Sequence, residues 1–112
     1  DAITGRNPSL ALSLLQEMLD KGEPPLRLLS VINWHYRLVG EALRYATIKE
    51  YGKLNQIHRS SLVINKIKRQ IKEMRLSELG PIFSRLKEAD RLLKGSRLPP
   101  RHVMAFLILN LA

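Results

Sequence analysis

The chain has 112 residues, 45% hydrophobic and 26% charged, and contains no cysteine. That length suits one domain with a real hydrophobic core. The missing thiols exclude disulfide stapling and thiolate metal sites and fit a reducing cytoplasm. Nineteen Lys and Arg against ten Asp and Glu leave a net charge of +9, a surplus that raises the question of a polyanionic partner.

Asp1-Ala2-Ile3 has neither the basic start nor the apolar core of a secretion signal, and the lack of a leading Met fits a fragment of a longer chain. Asn7-Pro8-Ser9 reads as a helix start, with Asn7 as cap and Pro8 at the first helical position, where a missing N–H costs nothing. Leu10, Ala11, Leu14, Leu15, Met18 and Leu19 then form a broad apolar face, and Gly22 closes the helix. Pro24-Pro25 opens a long second helix that ends between Ala46 and Tyr51, with Gly52 as the first firm break. Leu26, Leu29, Ile32, Tyr36, Val39 and Leu43 mark one of its faces; Leu28, Val31, Leu38 and Ala42 mark another. Two apolar faces place that helix between neighbours.

Lys53 to Ser60 has no firm periodicity and reads as a loop or short helical turn. Ser60-Ser61 can cap a third helix, with Leu62, Ile64 (or Val63), Ile67, Ile71 and Met74 as its inner stripe. Its outer face carries Lys66, Lys68, Arg69, Lys72 and Arg75, opposed only by Glu73. From Ser77 to Lys94 apolar residues recur at steps of three and four, Leu79, Ile82, Phe83, Leu86, Ala89, Leu92 and Leu93, so a fourth helix follows. Gly95 is the expected left-handed cap, and Pro99-Pro100 forces a break. The closing run Val103–Leu111 has almost no polar face, yet its nine residues are too few to span a bilayer, so it is expected to be buried in protein. No stretch alternates with period two. The expected fold is therefore all-α: a single domain over residues 1–112 with about five helices in an orthogonal or bundle-like arrangement.

No catalytic or cofactor chemistry emerges from this pattern. His35, His58 and His102 lie in separate segments without a ligand partner at i, i+4, and they read as packing or surface residues. The glycines are single, read as helix-end residues, and form no phosphate loop. Glu88 and Asp90 point to different sides of a helix and do not make an acid–base pair. Neither an enzyme nor a cofactor is expected.

The basic face Lys66, Lys68, Arg69, Lys72 and Arg75 can neutralise phosphates, although a solvated helix face is the more ordinary reading. Arg59 through Arg69 loosely suggests a helix-turn-helix but lacks the capped short turn and base-reading Asn or Gln. Asp90 and Lys94 stand at i, i+4 in the favourable order and read as helix support. Trp34 and Tyr36 read as core or interface anchors, because no further aromatics nearby in sequence complete a base-stacking platform.

Ala89-Asp90-Arg91-Leu92-Leu93-Lys94-Gly95, followed by Leu98-Pro99 and the apolar terminal helix, resembles the end of the delta subunit of bacterial DNA polymerase III. Gly22-Glu23-Pro24-Pro25-Leu26-Arg27-Leu28-Leu29, with Ile32, Arg37 and Leu38, looks like that family's preceding helix, and Pro8 to Leu19 is similar to the helix before it. The likeness covers roughly Asp1–Tyr45 and Ser61–Ala112. It departs at His58-Arg59-Ser60, where the family usually has His-Pro and an aromatic.

The resemblance implies a C-terminal collar domain, cytoplasmic and at the replisome, which packs with gamma/tau-type and delta-prime-type clamp-loader subunits. The sliding clamp would be bound by the N-terminal part that this chain lacks, and neither ATP hydrolysis nor membrane contact is expected. On that basis Trp34, Tyr36, Arg37, Asp90, Lys94 and Phe106 are the expected subunit contacts. Lys94 and Arg97 lie where the family's collar approaches primed DNA; they join Lys66, Lys68, Arg69 and Lys72 as candidate DNA contacts. Two other classes remain open. A free-standing basic helical DNA- or RNA-binding domain would bind duplex without a protein partner and with a steep salt slope. An adaptor groove for an amphipathic helix would also use surplus apolar surface.

Overall fold

The structure is a computed structural model and describes residues 8–111; the Asn7 cap expected from the sequence lies outside them. Among the described residues every regular element is helical: α1 (Pro8–Asp20), α2 (Pro25–Thr47), α3 (Tyr51–Leu54), α4 (Ser61–Ile71), α5 (Leu79–Gly95) and α6 (Pro100–Leu111). A 3-10 turn at Leu76–Glu78 precedes α5. The all-α expectation holds, and the stretch expected to be a loop or short turn contains the second half of the one-turn helix α3.

Helix ends follow from local chemistry. Gly22 adopts φ 88°; its N–H donates to Leu19 O at 3.0 Å, and the Glu23 N–H donates to Met18 O at 3.0 Å. That double bond to the last turn is a Schellman ending, for which glycine carries no Cβ penalty. Helix α2 ends in the same way, with Lys49 N–H to Ala46 O at 3.1 Å and Glu50 N–H to Tyr45 O at 2.9 Å. Here the left-handed residue is Lys49, at φ 61°. The break after α2 is therefore at Lys49, and Gly52 lies inside α3. Gly95 is also not the left-handed cap expected: it is the last residue of α5, and Gly22 is the described glycine with positive φ. The Ser96 hydroxyl finishes that end by donating to Leu92 O at 2.8 Å.

The described residues group into two compact units, and α2 and α5 each contribute to both. One takes in the described residues of Asp1–Asn33 and Pro81–Ala112. Its interior is built from Ala11 and Leu15 of α1, Leu29 of α2, Ile82, Leu86 and Ala89 of α5, and Val103, Met104, Leu107, Ile108 and Leu111 of α6. Helix α1 packs on α6, and Arg101 closes the pair with a 2.8 Å ion pair to Asp20. Burying each large aliphatic side chain contributes about 1.5–3 kcal/mol, so packing outweighs this surface pair, worth about 0–1 kcal/mol.

The other unit is Trp34–Gly80. Leu38 and Ala42 of α2, Leu54 of α3 and Ile67 of α4 form its core cluster, with Tyr45, Ile57, Val63 and Ile71 packed around them. Gly40 sits inside α2, not at a helix end, because a Cβ there would lie 3.3 Å from Leu79 Cδ1. Ser60 caps α4, its hydroxyl accepting from the Val63 N–H at 3.4 Å. The stripe of α4 is Ile64, Ile67 and Ile71 with Val63. Leu62, expected inside, is 73% exposed, since it lies two positions from Ile64 and a helix turns roughly 200° over that step.

Candidate assembly and nucleic-acid surfaces

Among the described residues no three His, Cys, Asp or Glu side chains gather as a metal site, and no helix is long and apolar enough to cross a membrane. The histidines are scattered. His35 Nε2 lies 2.8 Å from Gln70 Oε1. Burial pushes its pKa below the ordinary imidazole value, and the Gln70 bond opposes that shift in part. His58 packs beside Trp34, and His102 lies at a groove in the other unit. What the structure offers is surface.

The groove lies between α5 and α6 and has a volume of about 480 Å³. The sequence cause is a register fact: α6 is apolar around most of its circumference but can turn only one side inward. Val103, Met104, Leu107, Ile108 and Leu111 take the interior, which leaves Phe106 70% exposed and Leu109 exposed as well. The expectation that the closing run is wholly buried is corrected by these two residues. Phe106 joins Leu92, Val103, Leu107 and the half-exposed Leu98 in lining the groove.

Polar groups edge it. Arg85 Nη1 donates to Asn110 O at 3.1 Å, holding the last turn of α6 against α5. Glu88 accepts from Arg91 Nε at 3.0 Å, and that pairing holds its carboxyl below the usual range. His102 completes the edge. An apolar trough with a few fixed polar groups has the form of a recognition surface.

The residues singled out from the sequence separate into three groups. Phe106, Asp90 and Lys94 belong to the unit with the groove; Phe106 lines it, and Asp90 pairs with Lys94 at 3.1 Å along α5. Arg97 is exposed in the same unit without a partner among the described residues. Trp34 and Arg37 are exposed in the other unit, but Tyr36 is only 2% exposed. Its side chain is interior and presents no contact surface, which corrects its assignment as a subunit contact.

Of the four α4 candidates, Lys66, Arg69 and Lys72 are exposed. Lys68 is half-buried and donates from Nζ to Asn55 Oδ1. Trp34 nonetheless has an aromatic neighbour from a remote part of the sequence: His58 stands at 5.6 Å between ring centroids, edge to face. Twenty-four positions separate the two in sequence, so local reading could not pair them. The Arg85 bond, the groove and this ring pair were all missed, because each depends on contact across helices.

Compared with known families, the chain matches the DNA polymerase III delta subunit, C-terminal domain, over residues 1–111. No match was found among curated proteins or solved structures. The chain belongs to that delta-subunit family, and so has a clamp-loader role.

Proposed function

We propose that this delta-subunit domain is a non-catalytic assembly module, which holds its subunit in a helical collar while other parts of the clamp loader act on the clamp. The observation that carries this reading is the α5–α6 groove with Phe106 exposed beside it. A Phe in that position on an apolar helix would be a solubility liability alone and is an anchor once a neighbour covers it. The partners are the gamma/tau-type and delta-prime-type subunits, each contributing a comparable helical domain. Asp90 and Lys94 pair along α5 in the groove's unit; they do not line the groove and would supply polar subunit contacts on another side of that helix. Arg97, exposed after α5, would supply a cation for the phosphates of primed DNA at the assembly.

The test is Phe106→Asp in an otherwise complete loader reconstitution. A charge in the groove is expected to remove the domain from the assembled complex, with its helicity unchanged. Wild-type incorporation of the folded variant would contradict the assignment of this groove.

A further inference from the structure

We infer that the unit formed by Trp34–Gly80 carries a binding surface for single-stranded nucleic acid, with Trp34 as a base-stacking platform and the outer face of α4 as its phosphate track. Trp34 is 49% exposed and held by the His58 ring, 5.6 Å away and inclined at 72°. The imidazole is itself fixed, because its Nδ1 accepts the Ser60 N–H at 2.9 Å. That bond leaves Nε2 as the protonated nitrogen of the neutral ring. A large aromatic side chain immobilised before binding loses little freedom when a base stacks on it.

The ring pair lies at the start of α4. Ser60, bonded to His58, is the cap of that helix, and exposed Arg59 stands between the two. Lys66, Arg69 and Lys72 continue along it at steps of three, one cation per turn. At a rise of 1.5 Å per residue these three cover about 9 Å of helix axis. None of these three cations, nor Arg59, has an ion pair among the described residues, and no carboxylate lies between Arg59 and Lys72 in the sequence, Glu73 following directly after. A structural role for these charges would pair them, as it pairs Lys21, Lys53, Arg91 and Lys94 elsewhere. Unpaired cations along the outer face of α4, with a half-exposed, fixed aromatic at that helix's start, fit a strand that offers both phosphates and open base faces. Duplex DNA keeps its base faces stacked and would use the cations alone.

Trp34 is the chain's single tryptophan, so its emission reports this site directly. Fluorescence titrations with oligothymidylate, oligouridylate, a DNA duplex and heparin, over a range of salt, separate the outcomes. Quenching by both single strands is expected, or by one of them if the sugar is also read, while duplex and heparin bind without quenching. Affinity is expected to fall with a log–log salt slope near −0.7 for each cation engaged, so that Lys66→Gln with Arg69→Gln flattens the slope by about 1.4. Trp34→Ala, followed by anisotropy of a labelled strand, should weaken binding by roughly tenfold or more, and Trp34→Phe should restore most of it. Three results would each overturn the inference. They are no single-strand binding at low salt, equal affinity for strand and heparin without quenching, and a salt slope unchanged by the double substitution.

Discussion

Lys49 occupies a conformation that its side chain disfavours. At φ 61° it closes α2 with both carbonyl bonds made, while a non-glycine residue there costs about 1–2 kcal/mol of local strain. Glycine removes the strain and gives back part of the gain through its larger unfolded-state entropy. Lys49→Gly is therefore expected to stabilise the chain by about 0.5–1 kcal/mol. The gain should appear as a higher denaturant midpoint at unchanged slope; a lower midpoint would show that the Lys49 side chain matters in some other way. His35 gives a pH dependence. Burial depresses its folded-state pKa, so the folded chain binds fewer protons than the unfolded chain, whose imidazole titrates near about 6.5. The associated stability is present above that value and is lost as pH falls below it toward the folded pKa. The melting temperature should drop between about pH 7.5 and 5.5, and His35→Gln, which keeps a partner for Gln70, should flatten that drop. Residue-scale features were the least legible in the sequence. Gly22 announced its left-handed turn because glycine is the usual occupant, whereas Lys49 gave no sign, Gly52 suggested a break that lies earlier, and Gly95 ends α5 without the left-handed turn.

At the scale of elements, α6 shows two kinds of apolar residue with separate duties. Met104 is fully buried and Phe106, two positions on, is mostly exposed. Met104→Ala removes interior contacts and is expected to cost about 2–5 kcal/mol. Phe106→Asp, on the open side, is expected to change stability by no more than about 0.5 kcal/mol. Thermal melts of the two variants check this contrast; a comparable loss for Phe106→Asp would place that ring in the core. The helices themselves were legible where the period was clean. α5 was located by Leu79, Ile82, Leu86 and Ala89, all of which are buried, and α1 and α2 were located by their Pro starts. Direction was lost where the period was not clean. In α6 nearly every position is apolar, so the pattern could not say which side faced in. In α4 adjacent Leu62, Val63 and Ile64 offered two stripes, and only packing with Leu38, Ala42 and Leu54 selected one.

On the scale of the molecule, helical content and family followed from the order and spacing of leucine-rich motifs, which survive without any one diagnostic residue. The family match covers residues 1–111. The surfaces were less accessible to sequence. The groove requires α5 and α6 side by side, and the Trp34–His58 pair requires the chain to return across α2. These two surfaces lie in different units, so the proposed protein and nucleic-acid contacts can be tested with separate substitutions. The assembly role is the central claim, and sedimentation velocity tests it most directly. The chain is run alone, then with the C-terminal domains of the gamma/tau-type and delta-prime-type subunits, at concentrations high enough to preserve weak pairwise contacts. The account predicts a monomer alone and a partner-dependent increase in mass that Phe106→Asp abolishes. A chain that stays monomeric with both partners together, or whose partner-dependent mass ignores Phe106→Asp, would contradict it.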